Sequence, residues 1–475
     1  VHLDGTYFET DGFRDHSAAR MIRTGASIRL RGNENRQVRF AALYAGMPKA
    51  ENPGSLTQQL ALNSPRLARD ANVETSSGKN FDQAMVSGSL IQKLGDNFLD
   101  LTVHGTYRSL ENPLPFGFID VERLAGGFRG VYRFTGLPFE LQTGAELKWQ
   151  FDDRLETNNV NGNPGDRVDV NQNEDVLNQA LFARVNIPVQ RFRFSAALRA
   201  DRIRFSTNDN IQENREGSRT FTSLNPGIGI VYKHSDFKLF TNINSSFETP
   251  TTTELVNRPD GGNGFNQSVD PEKTWGIESG IEGSFYQNKF EYQITWFGMR
   301  VNDLLVPFQT TPDGPTFFRN EGRTRNTGIE SSFKIFPGQH ISATLMHSWL
   351  NAEFRNGEFK GNEIPGVSPH RGGIELKGNH SNYFFSADLE WVGSYFTDSE
   401  NSLKNDNYKL VTFRASRTVE LERHGIKLKP FLSVRNILNE RFNTSVSINA
   451  FGDRFFEPGS DRSVNAGIEI SFDTL

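Results

Sequence analysis

The chain offers few residues that could carry covalent chemistry. It has no Cys, which removes thiol nucleophiles, thiolate metal sites and disulfides together. No G-x-S-x-G elbow, H-E-x-x-H pair, phosphate-binding G-x-x-x-x-G-K or dinucleotide G-x-G-x-x-G occurs; Pro226–Lys233 (PGIGIVYK) reads as a glycine-containing strand. The nine His are scattered without metal-ligand spacing. His104 and His347 fall in alternating stretches, where a wall position is the bland role. His16 and His370 sit at or beside loops, where each could touch a metal complex, although an isolated His is weak grounds for one. Asp169–Asn173 (DVNQN) matches the opening of a calcium loop, with Asp169, Asn171 and Asn173 as oxygen ligands. Glu174 stands where that loop requires Gly, and Ala180 where it requires a bidentate Glu. A solvated loop is the better reading. These residues predict neither an enzyme nor a resident cofactor.

The elements that would position any site are strands. Phe192, Phe194, Ala196, Leu198 and Ala200 alternate with Arg193, Ser195 and Arg199. The same period of two recurs at Leu181–Ile187, Trp275–Ile281, Ile341–Trp349, Ala387–Trp391 and Ile468–Phe472. Strict alternation marks strands with one apolar and one wet face. Only Leu56–Arg69 could form a turn or two of helix. No apolar run approaches the ~18 residues of a membrane helix, and a net charge of −5 without a basic block leaves no footprint for nucleic acid. The composition is odd in one respect: 40 Phe in a chain of mean hydropathy −0.55.

About twenty strands are predicted, and their connections alternate in length. Tight polar turns at Gly32–Asn35, Gly95–Asn97, Thr135–Pro138, Pro188–Arg191, Lys233–Asp236, Tyr286–Asn288, Phe336–Gln339, Gly378–Asn382 and Glu422–Gly425 form one set. Longer loops lie between them, at Met47–Asn80, Asp152–Asn173, Ser206–Ser218, Thr249–Pro271, Pro307–Pro315, Arg355–Pro369, Asp398–Asn407 and Asn443–Arg462. A membrane barrel sorts its loops in this way, with short periplasmic turns and long extracellular loops. Apolar side chains then face lipid and polar ones the lumen. Tyr7, Tyr107, Trp149, Trp296, Trp349 and Trp391 suit interfacial girdles. A soluble β-propeller is disfavoured, because no blade signature repeats at ~40–45 residues. The predicted fold is all-β: a transmembrane antiparallel up-and-down β-barrel occupying residues 1–475.

Several segments, in order, resemble the barrel of the TonB-dependent outer-membrane receptors. They are Thr10–Ala18, Glu51–Thr57, Ser245–Leu255, Val269–Gly283, Phe317–Glu330 and Ile364–Leu376. The most specific is the closing stretch Phe431–Phe472, with Asn436 and Asn439, the EPG-x-x-R element (Glu457, Pro458, Gly459, Arg462) and an alternating last strand. The family has a plug and twenty-two strands. Neither a plug nor more than about twenty strands is read here, so the resemblance implies a barrel lacking its plug and its first two strands, or completed by another segment, with a genuine twenty-stranded barrel as the alternative.

The resemblance also implies the activity: active import of a scarce, bulky nutrient across the outer membrane. The usual cargo is an iron–siderophore complex, with haem, cobalamin or oligosaccharide as alternatives. The driving partner would be TonB with its inner-membrane energising complex, acting through the plug. Outer-membrane lipid and lipopolysaccharide would surround the wall. A passive porin-like channel is the rival from another class. Ligand capture would fall to the long loops, where aromatics and Arg beside Gly can wrap a ligand. The candidates are Arg14, His16, Phe265, Phe308, Phe317, Phe318, Arg319, Tyr395, Phe396, Phe451, Arg454, Phe455 and Phe456, with loop-to-loop packing the commoner role for such aromatics. Arg14, Arg323 and Arg325, near strand ends, could face an anionic ligand or lipopolysaccharide phosphates.

Overall fold

The computed structural model describes residues 1–211, 217–261, 264–311, 314–421 and 426–472; the expected Glu422–Gly425 turn lies outside them. Its main sheet is an antiparallel meander of 21 segments. Two of these, Tyr408–Arg417 and Val419–Leu421, pair with the same neighbour, Ile426–Arg435, and form one interrupted strand. The chain therefore makes twenty passes, from His2–Thr10 to Ser463–Phe472. Each pass pairs with the next, as in Phe237–Glu248 against Glu272–Phe285. Among the described residues no pairing joins the first strand to the last. Among the described residues no helix is long and apolar enough to cross a membrane. The helical pieces among the described residues are Gln58–Asn63, Asp70–Glu74, Thr252–Val256 and a 3-10 turn at Phe451–Asp453, all in loops.

Which face is the outside follows from where the loops fold. Phe205, Phe221, Leu255 and Phe265 form a buried cluster with Val176 packed against it, so the segment 249–271 lies on the face bearing Val176, Phe205 and Phe221. The apolar stripe of the same strands points the other way. Leu181 is 67% exposed and Leu224 63%, and the last strand shows Ile468 and Ile470 in the same state. The main apolar stripe is thus turned away from the interior, as a wall in lipid requires. The interior face carries ion pairs: Arg199 with Asp201 at 2.8 Å, Arg133 with Asp100 at 2.9 Å and Lys377 with Glu375 at 2.6 Å.

The exposed face also carries the girdles. Near the tight turns, rings meet from strand to strand: Phe192 with Tyr232, Phe285 with Phe290, Phe290 with Phe333, Phe385 with Phe413. Toward the loop end, Trp296, Ile329 and Trp349 stand in one cross-strand row. Trp275 and Phe285 are ten residues apart on one strand, close to the ~9–11 residues a tilted strand needs to cross.

The surplus of Phe and Gly has a shared explanation. Phe182, Phe240 and Phe297 are on the interior face, directly opposite Gly144, Gly280 and Gly328. A Cβ on each of those glycines would sit 2.4–2.5 Å from a ring or backbone atom, so the rings lie flat over neighbouring backbone. Phe182 also takes the guanidinium groups of Arg129 and Arg199 at 5.3 and 5.9 Å. Some Phe therefore face inward, contrary to the simple rule of apolar outside and polar inside.

Two expectations need correction. Asp152–Asn173 is not an irregular loop. Strands Glu140–Val160 and Asn163–Val189 run on to a two-residue turn, Asn161-Gly162, with both φ angles positive, the type I′ geometry of tight hairpins. Asp169, Asn171 and Asn173 accordingly lie in a strand, where alternate side chains cannot wrap one calcium ion. Asn173 donates instead to Asp153.

Placing Lys at Ile468 or Ile470 should cost ~2–4 kcal/mol at the bilayer midplane and reduce heat-resistant barrel in isolated outer membranes; undiminished assembly of both variants would contradict the assigned facing. Gly328→Ala puts a Cβ 2.4 Å from the Trp349 carbonyl oxygen. Overpacking of this kind costs ~1–3 kcal/mol, so its barrel should unfold at a lower temperature in gel-shift melts.

Candidate functional site

Three loops from well-separated parts of the wall converge. Segment 51–79 carries the helix Gln58–Asn63, capped by the Thr57 side chain accepting from the Leu60 N–H. Segment 303–323 is a small hairpin, Leu305–Phe308 with Phe317–Asn320. Segment 436–462 holds the ribbon Asn443–Val446 with Phe456–Pro458. Leu56 and Phe456 exchange both backbone hydrogen bonds, at 2.8 and 3.0 Å, joining segment 51–79 to the last loop. Leu56, Ala61, Phe455 and Phe456 are buried together beneath this junction. Ser55 and Ser447 share a hydroxyl hydrogen bond of 2.5 Å across 392 residues of sequence.

Asn449 ties the remaining loops. Its Nδ2 donates to the Pro307 carbonyl at 3.2 Å and the Ser399 hydroxyl at 3.1 Å, and its Oδ1 accepts from the Ser399 N–H at 2.8 Å. The Phe451 N–H donates to the Gln309 side-chain oxygen at 3.2 Å.

These contacts enclose a cavity of about 310 Å³, lined by Ser55, Arg69, Phe308, Gln309, Thr316, Phe451 and Arg454 among others. Arg69 is partly buried, and burial followed by the neighbouring charge of Arg454 lowers its pKa. Two guanidinium groups, aromatic faces and amides can grip an anionic ligand. The lining has no nucleophile paired with a base, and no group of three or more His, Asp or Glu suited to a metal occurs among the described residues.

A second recess, of about 430 Å³, lies on the interior wall below segment 249–253. Arg123 binds Asp152 through two hydrogen bonds of 2.8 and 2.7 Å. Arg154 donates to Thr253 at 2.8 Å and pairs with Glu156, which fastens that segment to the wall.

Comparison with known proteins gives this arrangement a family. Residues 16–437 match the family model described as TonB dependent receptor-like, beta-barrel. The chain belongs to the TonB-dependent receptors. Similar solved structures include the ferric citrate transporter FecA in its unliganded form, at TM-score 0.80 and 16% identity over 99% of this chain and 73% of that one. The copper transporter OprC gives TM-score 0.76 and 14% identity over 99% and 75%. The ferric yersiniabactin uptake receptor FyuA from Yersinia pestis gives 0.74 and 14% over 100% and 76%. At such identities these neighbours show the fold. The family fixes the rest: this is a transporter barrel of the bacterial outer membrane, not an enzyme, and it works with TonB and binds a ligand.

Of the residues singled out in the sequence, the receptor brings Phe308, Phe451 and Arg454 to the loop cavity. Phe317 stacks against Phe308 at 5.8 Å behind them. Arg319 lies over Phe308 at 5.1 Å and donates to Glu321 at 2.6 Å. Phe396 is half-buried below the Lys404 ammonium, 4.2 Å from the ring centroid. Others serve packing. Phe265, Phe455 and Phe456 are buried in loop cores, and Tyr395 packs with Val392 and Tyr408. Arg14 is buried and donates to the Leu67 carbonyl at 2.8 Å; burial lowers its pKa, against the opposing pull of Glu457 and Asp15. His16 donates through Nε2 to the Ser77 carbonyl at 2.7 Å. Both tie the first loop to segment 51–79. Arg69, Gln309 and Asn449 were missed. Arg69 sits at the end of the one stretch with helical spacing, and nothing in the local sequence marks the other two.

Phe456→Ala should remove ~3–5 kcal/mol of local packing while leaving the wall intact. Limited proteolysis of intact cells should then cut within residues 436–462 at a protease concentration that spares the parent protein.

Proposed function

We propose that this receptor imports an iron–siderophore complex, with the loop cavity as the first ligand-binding station. The observation that carries this reading is the pairing of Arg69 and Arg454 with Phe308 and Phe451 in one enclosure built by three loops. Siderophore complexes are chelates whose oxygen donors and carboxylates suit guanidinium hydrogen bonds, and whose organic rims suit aromatic faces. FecA is a ferric citrate transporter and FyuA a ferric yersiniabactin uptake receptor, in keeping with this reading, whereas OprC is a copper transporter. TonB supplies the pull that releases the ligand inward, and the wall contributes a polar passage.

Uptake of radioactive iron by cells making the intact receptor, supplied with a panel of purified ferric chelates, tests this. At least one chelate should enter in a manner that requires TonB. Arg454→Gln removes a charged hydrogen-bond donor worth ~1.5–3 kcal/mol and should weaken binding of that chelate by ~10–100-fold. TonB-dependent uptake of copper or of an iron-free nutrient, with no ferric chelate entering, would overturn the cargo and leave the family intact.

A further inference from the structure

The outward face of the wall holds a feature that ligand import does not use. Trp275, Arg300, Arg325 and Glu353 stand side by side in one row across four strands. Arg300 and Arg325 are direct cross-strand partners, and like charges placed opposite each other repel. Arg323 and Arg355 flank the row, joined by the hydrogen bond from the Arg355 N–H to the Arg323 carbonyl at 2.7 Å. All four arginines are exposed. Among the described residues, Arg355 alone of the four pairs with a carboxylate, Glu353 at 2.7 Å. The Arg325 Nε donates to Thr327 at 3.3 Å.

Depth decides what such a row meets. Trp296, Ile329 and Trp349 form the girdle row of the same strands, and Arg300 and Arg325 lie four residues beyond it toward the loops. At ~3.4 Å per residue and a tilt near ~45°, that is ~10 Å above this row and level with Trp275, the upper end of the ten-residue crossing. Lipid phosphates lie at that height. Below the arginines the surface becomes a groove of about 680 Å³, whose lining includes Ile243, Ile277, Trp275, Trp296 and Gly298. Gly298 lies in its floor, where a Cβ would stand in ordinary contact with the Trp296 ring, 3.4 Å away. Cationic donors stand above an apolar trough on the lipid side of an outer-membrane wall.

We propose that Arg300, Arg323, Arg325 and Arg355 bind the phosphates of a diphosphorylated lipid of the outer leaflet, such as the lipid A part of lipopolysaccharide, with an acyl chain in the Trp275–Trp296 groove. Guanidinium groups bind phosphate through paired charged hydrogen bonds, and two phosphates relieve the repulsion within the row. Lipid here is a bound ligand rather than bulk solvent, and it anchors the strands beneath the loop hairpin 303–323.

Native mass spectrometry of the intact receptor, reconstituted with diphosphoryl lipid A, its dephosphorylated form or phosphatidylcholine, reads this directly. The parent protein should retain diphosphoryl lipid A at least tenfold better than either other lipid, and millimolar inorganic phosphate should not displace it. The double variant Arg300→Gln with Arg325→Gln should lose that preference, and the double Lys variant should keep most of it. Heat-modifiable gel migration confirms that each variant is folded, and Arg323→Gln alone, with an expected loss of several-fold, substitutes if the double Gln variant is not. Equal retention of phosphorylated and dephosphorylated lipid by the parent protein, or an undiminished preference in the folded Gln variants, would overturn the assignment. So would inorganic phosphate or citrate displacing the lipid, which would make the row a site for soluble anions.

Discussion

A backbone in hydrocarbon has no water to bond to, so every N–H and C=O that crosses the bilayer must find a partner on a neighbouring strand. The rest of this molecule follows from that constraint. It forces an antiparallel meander, in which each pass pairs with the next, and it confines irregular chain to the two aqueous sides. It does not limit strand length. Glu140–Val160 and Asn163–Val189 have 21 and 27 residues, about twice what a crossing needs, and their outer halves stand in water as a rigid hairpin. The aromatic belts, not the strand ends, mark the depth of the bilayer.

With the ladder fixed, side chains are sorted by what each face meets. The outside must be apolar between the belts, and the inside is free to carry Arg199–Asp201, Arg133–Asp100 and Lys377–Glu375. The rings over Gly144, Gly280 and Gly328 are a third use of the wall. Each covers a neighbouring backbone that lacks a side chain, and in the case of Phe182 it presents a π-face to two arginines. This reconciles 40 Phe with a hydrophilic chain: part of the aromatic content belongs to the lumen.

The wall was legible in the sequence because its signal is local. A period of two, broken by a tight turn, can be read within twenty residues, as at Phe192–Ala200, and the family signature at Phe431–Phe472 is equally compact. The hairpin at Asp152–Asn173 was misread for a physical reason. Above the bilayer neither face needs apolar residues, and a run such as Asp152, Asp153, Arg154 looks like loop although every residue is paired. The candidate site was hardest to read. Ser55 meets Ser447, and Asn449 meets Pro307, across hundreds of residues. Aromatics that pack, such as Phe265 and Phe455, have the same sequence context as Phe308 and Phe451, which line the cavity.

The cover over the lumen is not uniformly strong. Its junction with segment 51–79 combines a backbone bridge at Leu56 and Phe456 with a dry cluster of four buried side chains. Burying the Leu and Phe side chains among them is worth ~1.5–3 kcal/mol each. Its junction with segment 303–323 is carried by single hydrogen bonds, Asn449 to the Pro307 carbonyl and Phe451 to Gln309, whereas segment 393–407 also packs Leu403 against the buried cluster and Tyr395 beside Val446. Each of those hydrogen bonds nets only ~0.5–1.5 kcal/mol, because water replaces it when it breaks. Opening therefore costs least on the side of segment 303–323. Phe308 leaves with the moving side, while Arg69 stays on the anchored one. A ligand held between them would bridge a joint that the protein's own contacts leave weak, so its arrival would close the loops and its departure would release them.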